Sequence, residues 1–208
     1  AFHRFADGVR QGLDADADLL LARRHEGQAH GARVAVADEV RAPGIAGRIG
    51  ITFCPGKKGE SFTGPNWDRS MEADLERVRL WGAAHVVTLI EDFEFEMLQV
   101  RELGDTVASK NMDWHHLPIV DGQPPDERFL NAWPAIVTSL VDALKSGQRI
   151  LVHCRGGLGR AGTVASILLV ELGVPPRDAI EQVRLARPGA IETEDQQRFI
   201  EAYRTWAR

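Results

Sequence analysis

Cysteine is scarce in this chain: 208 residues contain two, Cys54 and Cys154. Set a hundred positions apart, they form neither a disulfide framework nor a zinc-ligand spacing, and they predict free thiols in a cytoplasmic protein. Long apolar runs are missing as well. The run ILLV at 167–170 is short, and no stretch approaches the ~18 apolar residues of a membrane span. The opening AFHRFADGVR has no apolar core of the kind a signal peptide carries, so no membrane anchor is expected. Basic charge is not in surplus either. With 25 Lys and Arg against 30 Asp and Glu, the net charge is −5, which argues against nucleic acid as a partner while leaving room for a local basic pocket. Internal repeats and low-complexity tracts are absent.

What the chain does have is alternation. Residues 1–43 read as an N-terminal extension. Within it, LDADADLLLARRH at 13–25 is helical, acidic at its start and basic at its end as the helix dipole favours, and ARVAVADEV at 32–40 has strand character. APG at 42–44 marks a seam, and 44–208 reads as one domain. Strands are expected at RIGITF (48–53), AHVVTLI (84–90), MDWHHLPI (112–119) and RILVHC (149–154). Helices are expected at 68–82, 94–109, 126–147 and 160–173, with two more to the end. Strands alternating with helices predict an α/β fold with a mainly parallel central sheet flanked by helices.

One junction in this pattern carries chemistry. HCRGGLGRAGT at 153–163 runs from a buried strand, through a glycine-rich loop, into a helix. A helix start leaves backbone N–H groups unpaired and attracts anions. Glycines at 156, 157 and 159 let successive N–H groups converge on one point, and the Arg160 fork can hold two phosphate oxygens. A cysteine placed in such a field is expected to be a thiolate nucleophile at neutral pH.

HCRGGLGR resembles the HC-x5-R signature of the cysteine-dependent protein-tyrosine-phosphatase superfamily. The chain is similar to its dual-specificity branch, and most of all to the kinase-associated phosphatase (cyclin-dependent kinase inhibitor 3) family. IGITFCPGKK, HHLPIVDGQPPD and GAIETEDQQRF carry the rest of that likeness. The resemblance implies a phosphomonoester hydrolase that works through a Cys154-phosphate on phosphotyrosine, phosphoserine or phosphothreonine of proteins, with no cofactor and no metal. It implies that Arg160 and the loop of Arg155, Gly156, Gly157, Leu158 and Gly159 bind the phosphate or another oxyanion, and that His153 supports the thiolate. Asp121, just beyond its strand and followed by the freely turning Gly122, matches the family's general acid. Asp126 reads instead as a helix cap, and Asp113 lies at the wrong end of its strand. His115 and His116, adjacent on a strand, face opposite sides and read as structural.

Two positions depart from the family pattern. Ala161 stands where many members carry Ser or Thr, whose hydroxyl assists the departing thiolate, and Thr163 is too far round the helix to replace it. Glu192 stands where classical tyrosine phosphatases have a water-positioning glutamine, with Gln196 and Gln197 as candidate substitutes. The expectation is a competent first step and a slowed second one. A phosphate-binding pseudophosphatase is the alternative, and a phosphoinositide phosphatase becomes credible where Arg155, Lys57 and Lys58 face the pocket. Cys54 reads as a buried small residue or as a disulfide partner of Cys154.

Overall fold

A computed structural model of the protein describes residues 37–60 and 65–206, and the helix expected at 13–25 lies outside them. Five strands form the main sheet in the order β1-β2-β7-β5-β6: β1 (Asp38–Val40), β2 (Arg48–Phe53), β5 (Ala83–Thr88), β6 (Asp113–His116) and β7 (Arg149–Cys154). All neighbours run parallel except β1, which pairs antiparallel with β2. The α/β architecture is the one expected. A short hairpin, β3 (Lys58–Gly59) and β4 (Trp67–Asp68), follows β2.

Strand alternation distributes the core. Along β7, Ile150, Val152 and Cys154 face one layer, where α4 (Glu127–Lys145), α5 (Gly159–Glu171), α6 (Pro176–Ala186) and α7 (Glu194–Ala202) pack. Leu151 faces the other layer, with α1 (Met71–Trp81) and α3 (Leu103–Ser109). Period-two alternation requires this split when both faces of a strand are covered. α4 buries Phe129, Trp133, Val137, Leu140, Val141 and Leu144, the i, i+4, i+7 stripe of a helix with one apolar face. α5 is buried over its whole length, which fits its apolar sequence.

Helix ends follow local chemistry. Ser70 caps α1 by accepting from the Ala73 N–H at 3.2 Å, and Gly82, at φ +90°, stops it in the left-handed conformation. Leu80, expected near the apolar face of α1, is exposed. The stretch expected as one helix over 94–109 is two, α2 (Asp92–Met97) and α3. Gln99, at φ +56°, turns the chain between them so that Val100 enters the core.

The single tyrosine ties the back of α5 to the chain end. Trp133 Nε1 donates to Tyr203 Oη at 2.6 Å, and that hydroxyl donates to Glu171 at 2.5 Å, all of them buried. Tyr203→Phe removes a shared partner from a buried N–H and a carboxylate, so a loss of about 1–3 kcal/mol is expected in urea unfolding. A loss below about 0.5 kcal/mol would mean that the chain is not held by this linkage.

Candidate active site

Parallel pairing puts the C-terminal ends of β2, β5 and β7 at one edge of the sheet, and the site is built there. β7 ends at Cys154, paired with Phe53 at the end of β2. The loop then turns so tightly that a Cβ on Gly157, at φ +72°, would lie 2.3–2.5 Å from the Thr52 and Phe53 backbone. Only glycine fits, because both the torsion and the space exclude a side chain. At this turn the Gly157 N–H points at Cys154 Sγ, 3.1 Å away. Gly156 meets no such crowding.

Arg160, in the first turn of α5, is 1% exposed and is held from two sides. Its Nη1 and Nη2 meet the two carboxylate oxygens of buried Glu94 on α2, at 2.5 and 3.0 Å. Nη1 also donates to the Ile119 carbonyl at 3.1 Å. Burial works against the charge, but the Glu94 hydrogen bonds, with Cys154 and Asp121 alongside, outweigh it and hold the guanidinium above its ordinary pKa. Asp121 Oδ1 lies 2.9 Å from Nη2. The turn that bears Asp121 is tethered to the start of α7, where Thr193 donates to the Gly122 carbonyl at 3.2 Å and Gln196 to that of Gln123 at 3.3 Å.

His153 is fully buried. Its Nε2 is 2.8 Å from the Thr88 hydroxyl, which also accepts from Trp114 Nε1 at 2.8 Å. Burial, with the Arg160 charge adding to it, pushes His153 down to about 3, so the ring is neutral. Cys54 is buried, its thiol donates to the Pro55 carbonyl at 3.7 Å, and burial pushes the thiol up; both cysteines are free.

Several expected residues thus converge: Cys154, Arg160, Asp121 and the Gly157 amide. Others take different positions. Asp126 caps α4, accepting from the Arg128 and Phe129 N–H groups. Asp113 sits at the start of β6, paired with His85 at 3.5 Å. The Gly159 N–H donates to Glu192 Oε2 at 2.8 Å. Gln196 caps the turn before α7, and Gln197 accepts from Arg184, so each already has partners. Thr163 returns its hydroxyl to the Gly159 carbonyl at 2.8 Å. His115 contacts His85 at 3.1 Å, whereas His116 stacks on Trp114.

Sequence reasoning missed Glu94, Thr193 and Thr88. For Glu94 a signal existed: the acidic run EDFEFE comes two intervening residues after β5, whose C-terminal end a parallel sheet must place beside Cys154. Thr193 lies within the capping pattern T-x-x-Q, which predicts a helix start but not the loop it touches.

A thiol that accepts from a backbone N–H, next to a buried guanidinium and an acidic side chain, is the arrangement of a candidate nucleophile beside an oxyanion site. Residues 67–200 match the family described as Swiss Army Knife protein, DSP-PTPase phosphatase domain. Cyclin-dependent kinase inhibitor 3 of Homo sapiens is 30% identical over 159 residues, 75% of this chain and 71% of that protein. Protein tyrosine phosphatase type IVA 3 of Homo sapiens is 32% identical over 130 residues, 62% and 69% of the two chains. The crystal structure of kinase associated phosphatase with its catalytic-site cysteine substituted by serine superposes with a TM-score of 0.65 at 29% identity. It covers 74% of this chain and 83% of that one. The chain belongs to the DSP-PTPase family of cysteine-dependent protein-tyrosine and dual-specificity phosphatases. No helix among the described residues is long and apolar enough to cross a membrane.

The neutral, buried His153 makes stability pH-dependent. Below about pH 6.5 the unfolded chain takes up a proton that the folded ring refuses down to about 3. The unfolded state then binds more protons, so stability falls as pH falls through that window. Between pH 6 and 5 the protein should lose up to about 1.4 kcal/mol per pH unit more than His153→Gln does in urea unfolding. Parallel slopes would show that His153 is not the group responsible.

Proposed function

We propose that the protein hydrolyses phosphate monoesters on protein side chains, phosphotyrosine as well as phosphoserine and phosphothreonine, through a phosphocysteine at Cys154. The observation that carries this reading is the meeting of Cys154 at the end of β7, Arg160 in the first turn of α5 and Asp121 in the turn beyond β6. The Cys154 sulfur attacks phosphorus, an S–P bond forms, and the P–O bond to the leaving group breaks. Asp121 delivers the proton that the leaving oxygen needs. Water then attacks phosphorus while the Asp121 carboxylate takes its proton, the S–P bond breaks, and inorganic phosphate leaves with the thiolate and the Asp121 acid restored. Arg160 and the inward loop amides stabilise the charge on the equatorial oxygens. Arg160 Nε supports this role: it is buried and meets no acceptor among the described residues, so a donor is left for a substrate oxygen. Neither metal nor cofactor enters the scheme, and two free thiols fit a reducing cytoplasmic setting.

Ala161 favours a slow second step. It is fully buried at the start of α5 and brings no hydroxyl to the departing sulfur. Glu192 is engaged by the Gly159 N–H. In the limit of that slowness the protein acts as a phosphate-binding module. The phosphoinositide reading loses support, because Lys57 is buried beneath the loop and Lys58 pairs with Asp68 at 3.3 Å.

Hydrolysis of p-nitrophenyl phosphate tests the roles. Cys154→Ser should abolish turnover, and Asp121→Asn should lower kcat by about 10²–10⁴-fold. Unchanged rates in either variant would remove that residue from the mechanism. In stopped-flow experiments a burst followed by slow turnover is expected, with Ala161→Ser raising the steady rate. No burst, with Ala161→Ser unaltered, would overturn the slow second step. An inactive wild type that still binds phosphopeptides would favour the module.

A further inference from the structure

Three successive carbonyls of the phosphate loop are held by cations from outside the cradle. Lys57 Nζ donates to the Arg155 carbonyl at 3.3 Å, which also accepts from the Cys54 N–H at 3.4 Å. Arg187, at the end of α6, donates from Nη2 to the Gly156 carbonyl at 3.2 Å and from Nε to the Gly157 carbonyl. Both cations are themselves fixed. Lys57 is buried, with Nζ 3.6 Å from the centre of the Trp67 ring, and Arg187 Nη1 is paired with Asp38 of β1 at 2.6 Å.

In a trans peptide the C=O and the following N–H point in opposite directions. Holding the carbonyls of 155, 156 and 157 outside therefore aims the N–H groups of 156, 157 and 158 inside. Gly157 gives a direct check, because its N–H does point at Cys154 Sγ. A glycine-rich loop has little torsional preference of its own. Without Arg187, peptides 156–157 and 157–158 can flip and present a carbonyl dipole to an anion, whereas the Cys54 N–H gives the 155–156 carbonyl a second partner beside Lys57.

We propose that Arg187 and Lys57 are positioning residues of the phosphate cradle, gripping its carbonyls from outside so that its amides face the substrate, with Asp38 fixing the Arg187 fork. The proposal rests on the phosphatase reading for its biological meaning but not for its test. Neither side chain needs to touch the substrate. A purely structural role would tie α6 and β1 to the loop and would change the melting temperature while leaving the oxyanion affinity of the folded protein intact.

Tungstate binding by calorimetry reads the cradle without turnover. Arg187→Met should weaken it by about tenfold or more, and Lys57→Met by about threefold, as expected for losing hydrogen bonds from charged donors. Arg187→Lys should recover part of the loss, since an ammonium reaches one carbonyl but cannot span two. Where Arg187→Met does not fold, Asp38→Asn at the sheet edge carries the test, with an expected loss of about threefold. Affinity within about twofold of wild type, in folded Arg187→Met or in Asp38→Asn when it must serve instead, overturns the inference. A wild type that binds tungstate but does not hydrolyse p-nitrophenyl phosphate removes the phosphatase reading and leaves this inference standing. A wild type that binds no tungstate removes both.

Discussion

The site depends on keeping a guanidinium charged where almost no water reaches it. Arg160 and Glu94 are each about 1% exposed, and an ion taken out of water costs several kcal/mol unless its partner and remaining hydrogen bonds are well placed. The two-pronged contact with Glu94 and the bond to the Ile119 carbonyl meet that condition. They also lock together the start of α5, the start of α2 and the segment after β6. Three chain crossings are thus fixed by one cation, and the segment leading to Asp121 is among them.

The loop's neighbours divide by charge and by direction. Cations take carbonyls, as Lys57 and Arg187 do, and an anion takes an amide, as Glu192 does with Gly159. A peptide loop is dipolar, so it becomes an anion receptor only if something else occupies its negative ends. Burial pushes Lys57 down to about 8, yet it remains largely protonated at neutral pH and can fill that role. Gly159 differs in that its N–H already has a carboxylate partner in Glu192.

Much of the fold and the centre of the site were legible because their determinants are local. RILVHC and RIGITF became strands over the residues that the apolar runs mark, and Gly82 ended α1 by a torsion that glycine alone tolerates easily. Cys154, the glycines and Arg160 lie within seven residues, so strand, loop and helix start could be read together. Illegible were the partners supplied from afar. Glu94 is 66 positions from Arg160, and Asp38 is 149 from Arg187. The break between α2 and α3 escaped for a different reason. It depends on Gln99 in a left-handed torsion, which no residue preference signals, and is stabilised by burying Val100.

The departures at Ala161 and Glu192 are best understood against this division of labour. Forming the phosphocysteine needs a nucleophile, a charge cradle and an acid, the roles proposed for Cys154, Arg160 with its loop, and Asp121. Breaking it needs something different: help for a departing thiolate, and a placed water. Cys154 Sγ accepts from the Gly157 amide, so the backbone offers the sulfur a donor. Whether that donor suffices without a hydroxyl at 161 decides if the second step keeps pace with the first. A backbone donor is only as good as the orientation of its peptide, and the 156–157 peptide is the one whose carbonyl Arg187 Nη2 holds. On the proposed role, the partner that aims the cradle at phosphate also aims this donor at the sulfur. In a chain with alanine at 161, both halves of the reaction therefore depend on the same outward-facing carbonyls.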